Sequence, residues 1–288
     1  MKNWLKIEIK RLVHRWQTWV GIILFLGMVV LSSYFEYIDR GVNGISDGYN
    51  MYLSAIGSPL HSYMSYAIFL VVLLIWGNSF FEDFHSAVFN YSMTRIEAKE
   101  YFKKKTLSLM VLAFIGMLVL QILAISTTNI LGEIWYSNLE PDNLGGILEN
   151  AELRNFSPPV EYMPELFENM PILYIVIIAL ILAIISIEGT LLGTLFSMIF
   201  KNNLGIIFVP WLSIIVIGIL TYSIAPYTSE VLAILSPIIM SGDFIFGVEY
   251  VGGISLFYPF IYWIMICVIT SIAIYWVYKK KIEEMLSN

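Results

Sequence analysis

Glu188 is the residue whose type and position most demand a chemical role. It stands midway along an apolar run, in the stretch SIEGTLLGTLFS. A charge at that depth in a membrane costs at least about 2.5 kcal/mol, so the carboxyl calls for a partner, a proton or a wet cavity. Two roles fit: a hydrogen-bonded or protonated carboxyl that fixes a helix contact, or a substrate-path or proton-relay residue. Gly189, Gly193 and Ser197 recur every four residues beside it. Such a stripe lets helix backbones approach closely.

A second group of ionisable residues lies further upstream, in FFEDFHSAVFNYSMTRIEAKEYFKKK. Glu82, Asp83, Phe84 and His85 come first, then Thr94 and Arg95, then Lys103, Lys104 and Lys105. Thr94 precedes Glu97 by three residues, the capping-box spacing that starts a helix. The spacing predicts a short helix, a turn over 90–93 and a second helix running into the next apolar run. A plain basic loop explains the lysines but not an ordered helix-turn-helix that opens on carboxylates.

Self-contained catalytic chemistry has no signature here. No GxxxxGK followed by Ser or Thr occurs, so no phosphate-cradling loop is present. HExxH and GxSxG are also missing. His14, His61 and His85 are far apart, and none pairs with a second ligand at metal-binding spacing. With Cys267 as the single cysteine, no intrachain disulfide can form.

The elements that must position these residues are set by an oily composition. The chain has 288 residues, 58% hydrophobic and 13% charged, with a mean hydropathy of +0.77. Soluble domains carry about twice that share of charge. Six runs are long enough to span a bilayer core of about 30 Å: 16–35, 62–81, 106–126, 171–200, 204–225 and 254–278. They do not alternate in polarity as barrel strands do. In lipid each must satisfy its own backbone groups, which makes them helices. The expected fold is an all-α polytopic membrane protein, a single permease domain over 1–288.

Charge sets the expected orientation. Counting from the sequence, 14 of the 16 basic residues fall on one side of these spans, and only Arg40 and Arg154 on the other. Basic flanks stay cytoplasmic, so both termini are expected inside. A cleaved signal peptide is the competing reading of the first span. Its basic lead is about 15 residues long and five further spans follow, which speaks against cleavage.

Between the spans, residues 1–17 predict an amphipathic helix lying in the headgroup layer, 1–15 of them ahead of the first span. Leu5, Ile9, Leu12, Val13 and Trp16 share one face, and Lys2, Lys6, Lys10 and His14 another. Three outer loops follow. Residues 36–61 are turn-rich, 131–170 are acidic and punctuated by prolines, and 226–253 are apolar enough for a broken, re-entrant hairpin. Pro210 predicts a kink in the fifth span.

The layout resembles the membrane subunits of ATP-binding-cassette exporters of the second type. The resemblance rests on IEIKRLVHR with Glu8, Lys10 and Arg11 in the interfacial helix, and on Glu82 and Asp83 after the second span. Thr94-Arg95, then Lys103 leading into the third span, complete it. Ser86 stands where that family often has Gly, and Met93 where it often has Pro. The resemblance implies that 82–105 is a coupling segment, with Glu82, Asp83, Phe84, His85, Arg95 and Lys103 docking a cytoplasmic ATPase. ATP and Mg would sit on that separate chain, and two permeases, identical or similar, would work as a dimer in a bacterial inner membrane. A peptide such as a bacteriocin or toxin, or a hydrophobic drug, would be the cargo. Two other classes are open: a membrane sensor or anchor that docks a partner without transport, and a proton-coupled carrier built around Glu188.

Overall fold

The computed structural model describes residues 2–40, 48–57, 64–84, 98–135, 164–228, 237 and 257–287. Among these residues there is helix and no strand. The elements are α1 (Lys2–His14), α2 (Trp16–Arg40), α3 (Gly48–Gly57) and α4 (Met64–Val72). A π-helical turn (Leu73–Gly77) leads to α5 (Ser79–Phe84). Then come α6 (Ala98–Trp135), α7 (Pro164–Asn169), α8 (Pro171–Ile199), α9 (Asn203–Thr228) and α10 (Tyr258–Ser287).

Among the described residues, five helices are long and apolar enough to cross a membrane: α2, α6, α8, α9 and α10. Their outward faces carry large apolar side chains such as Ile23, Ile122, Ile172 and Ile269. In water those faces would cost heavily, whereas in lipid they match the solvent. The chain is a multi-pass membrane protein. The second apolar run, 62–81, differs from the single span that composition suggested. It is helical from Met64 through Phe84 in three pieces, with the π-turn in the middle.

The core forms around α8, which packs along both α6 and α10 and against the π-turn. Close approach at that crossing comes from glycine on both sides. A Cβ on Gly193 would overlap the Gly77 backbone, so neither helix carries a side chain there. The small-residue stripe read from the sequence does face a neighbouring backbone. Wide turns, more crowded than α-helical ones, come with π geometry, and Leu73, Ile75, Trp76 and Gly77 in it are all buried.

Three boundary expectations are corrected. Residues 36–61 were expected to be a water-facing loop, but α3 lies within them, with Met51, Tyr52, Leu53 and Ile56 buried against α2 and α6. Apolar residues at helical spacing in YNMYLSAIG outweigh the turn signals before them. Helix α6 runs through 98–105 into the third apolar run, as the sequence predicts, but it also extends past 126 to take in 131–135 of the acidic loop. Helix α9 continues unbroken past Pro210, and it absorbs 226–228 of the expected hairpin. The rest of that hairpin, apart from Pro237, lies outside the described residues.

Candidate functional site

Residues from three elements converge at the end of the molecule where α1, α5 and the start of α6 meet. Helix α1 brings Glu8, Arg11 and Arg15 just beyond its end, in the order acid, base, base at spacings of three and four. That spacing puts the three on one helical stripe. Glu8, Leu12 and Arg15 are buried, while Ile9, Val13 and Trp16 face outward. The helix therefore docks on the protein through a charged stripe and turns its apolar stripe away, a refinement of the simple two-faced amphipathic reading.

Lys105 is the centre of the site. It is fully buried, one of the largest side chains with no exposure at all. Its Nζ lies 2.8 Å from Glu8 Oε1 and 2.8 Å from Asp83 Oδ2, and donates to Ser79 Oγ at 3.2 Å. Ser79 Oγ in turn donates to Glu8 Oε2 at 3.0 Å. Arg11 Nη1 reaches both Asp83 oxygens at 2.8 Å and Glu8 Oε1 at 3.3 Å. The Tyr101 hydroxyl donates to Asp83 Oδ2 at 2.5 Å. Two carboxylates and two cations thus close a neutral buried network.

At the rim, Arg15 Nε donates to both Glu82 oxygens at 2.9 and 2.8 Å, and Nη2 lies 2.6 Å from Oε1. Glu82 is partly open to solvent and Arg15 is covered. Lys104 pairs with Glu100 one turn earlier, on an exposed face. Trp4 packs edge-on to Tyr101 at 5.3 Å, which closes the apolar side of the cluster.

The electrostatics follow from this geometry. Burial alone would push the Asp83 carboxyl up. The Lys105 ammonium, the Tyr101 hydroxyl and the Arg11 guanidinium outweigh it and hold Asp83 below the usual carboxylate range. Burial would by itself lower Arg11, but Asp83 and Glu8 more than compensate, and the guanidinium is held more firmly charged than in water. Removing one partner from such a network is far more damaging than removing all of them, because a lone buried charge remains.

The structure brings together Glu8, Arg11 and Asp83 of the sequence-predicted residues, with Glu82 beside them. Lys10 is exposed on the outer face of α1. Lys103 is exposed on a different face of α6 and lines a groove against α10. The Phe84 side chain, His85 and Arg95 lie outside the described residues, as does the Thr94–Glu97 cap. Sequence reasoning missed Ser79, Tyr101, Arg15 and Lys105 as members of the site. Arg15 was visible as the continuation of the Glu8–Arg11 stripe. Lys105 could not be told from its neighbours Lys103 and Lys104, since three consecutive lysines look alike until a helix assigns their faces.

Glu188 is remote from this cluster. It is buried in α8, and Thr270 of α10 donates a 2.7 Å hydrogen bond to its Oε1. The Cys267 thiol, one turn away on α10, also lies against the carboxyl. Among the described residues no group of three or more His, Cys, Asp or Glu could hold a metal. Comparison with family models, curated proteins and solved structures gives no match.

Proposed function

We propose that the chain is the membrane-spanning subunit of an ATP-driven exporter, energised by a separate ATPase chain and moving a peptide or hydrophobic small molecule. The observation that carries this reading is the α1–α5–α6 ion network. Helix α1 is fastened by charges to α5 and to the start of α6 at once. A push on α1 or α5 therefore passes to α6 without slack, as a coupling device requires. In this proposal Asp83 and Glu8 hold the device together, whereas the exposed groups around them meet the ATPase: Lys10, Lys6 and the open edge of Glu82. The N and C termini and the basic end face the cytoplasm, and two such chains share the membrane as a dimer.

For Glu188, the hydroxyl partner on α10 favours a carboxyl that fixes a helix contact over a transported-proton site. The test of the main reading is affinity purification of the tagged full chain from its native membrane in mild detergent. Recovery of a cytoplasmic ATPase, with hydrolysis in the eluate that falls when Lys6 and Lys10 are both changed to Glu, supports the reading. An eluate with no ATPase and no hydrolysis, even after cross-linking in the membrane, refutes it.

A further inference from the structure

A groove of about 690 Å³ runs between α6 and α10 at the end of the molecule that carries Lys103 and Lys279. Below Lys103 and Lys279 its walls are mainly apolar, including Leu107, Leu191 and Ile274. A second hollow of about 590 Å³ shares Met110, Ser271 and Tyr275 with the first and continues past Cys267 to Ile264. On α10 the path from Lys279 to Ile264 covers about 22 Å at 1.5 Å per residue. That exceeds the roughly 15 Å of one hydrocarbon leaflet. Shape and lining suit an extended acyl chain.

The polar groups gather at one end only. Lys103 and Lys279 stand at the rim, where Tyr275 and Trp276 are also exposed, the aromatic mark of headgroup depth. Two lining residues there carry buried hydroxyls without a hydrogen-bond partner, Thr106 Oγ1 and Tyr278 Oη. On α6 the other four Ser and Thr side chains, Ser108, Ser126, Thr127 and Thr128, all bond back to their own helix. Thr106 is the exception, and it sits where a headgroup would lie. Basic pockets between membrane helices select anionic headgroups.

We infer that this groove is a binding site for an anionic phospholipid from the leaflet at the basic end, with one acyl chain along α6 and α10 and the phosphate between Lys103 and Lys279. The inference does not rest on the exporter reading, because it needs only the membrane setting and the groove. A headgroup there leaves the chain within the hollow that passes Cys267, the neighbour of Glu188.

The test is a titration of the purified full chain in detergent with phosphatidylglycerol and phosphatidylcholine of identical short chains, read by native mass spectrometry. Phosphatidylglycerol should bind about tenfold more tightly. Lys103→Gln with Lys279→Gln should bring the two lipids to nearly equal affinity, about threefold per lysine. Lys201→Gln, an exposed lysine between α8 and α9, should leave the preference intact. Ser271→Trp should weaken both lipids by filling the groove, with the far-ultraviolet spectrum unchanged. Equal affinities in the unaltered chain overturn the inference. So does a preference that survives the double Gln variant, or displacement of the lipid by millimolar inorganic phosphate alone.

Discussion

The basic end and the middle of α8 join helices by opposite means. At the basic end, three buried charges, the half-buried Arg11 and two hydroxyls tie α1 to α5 and α6. Along α8, backbones meet at Gly77 and Gly193, and one neutral hydroxyl answers Glu188. The difference follows the surroundings. Near the headgroup layer, a charge that loses its partner can regain water at moderate cost, so a network of charges is affordable. Deep in lipid no such refuge exists, and close van der Waals packing carries the contact instead. The fold uses specificity by charge at the edge and specificity by shape at the centre.

The sharpest way to break the comparison is Lys105→Met, which leaves Glu8 and Asp83 facing each other with only the half-buried Arg11 between them. A loss of about 3–5 kcal/mol is expected. It would be measured as a fall in the thermal midpoint in detergent, with faster hydrogen exchange in α1. Adding Glu8→Gln should recover much of that loss, since Arg11 and Asp83 then pair one to one. If Lys105→Met alone is harmless, the network contributes nothing to the fastening of α1.

Acid should act on the same end and spare the other. Asp83 is held below its ordinary pKa, so its contribution is complete above about pH 4 and is lost as pH falls through the lower folded value. Hydrogen exchange in α1 should be flat from pH 7 to about 4, after correction for intrinsic rates, and then rise. Exchange at the Gly77–Gly193 crossing should stay slow throughout. Loosening of α1 between pH 6 and 7 would contradict the assignment.

At the centre, Gly193→Ala should cost about 1–3 kcal/mol, because its methyl meets backbone that cannot turn aside. The readout is the thermal midpoint, and a neutral result would mean the helices separate there freely. Glu188→Gln should be milder, within about 1 kcal/mol, since the amide oxygen can still accept from Thr270. A folded Gln variant that has lost transport would give the carboxyl a role beyond the contact. Smallest of all is Arg15→Ala. Its partner Glu82 is partly exposed, and such pairs are worth under about 1 kcal/mol.

Much of the scaffold was legible because lipid imposes a simple rule on composition. The ranges read for 171–200 and 204–225 lie within a few residues of α8 and α9. Helix α3 escaped notice because NGISDG before it promised a loop, and only burial against α2 and α6 decides otherwise. The break in the second apolar run was hidden for a related reason: LLIWG has no proline, and its one glycine stands at the end of the π-turn, where it meets α8. In the site, the Glu8–Arg11 spacing and the acidic pair at 82 and 83 were visible as parts. Their union was not, because Glu8 and Lys105 are 97 residues apart and no local pattern links them.

That separation has a consequence for biosynthesis. At about 5–20 residues per second, roughly 5–20 s pass between the emergence of Glu8 and that of Lys105. Throughout that interval α1 and α2 exist without the cation that neutralises the site. Until α6 inserts, α1 can only rest at the membrane surface, its glutamate and arginines in contact with water and headgroups. The N-terminal helix is thus made first and docked late, when the third long apolar run delivers its lysine. A chain stalled before Lys105 would keep α1 undocked and open to proteases, so docking of α1 marks the arrival of α6, with α8, α9 and α10 still to follow.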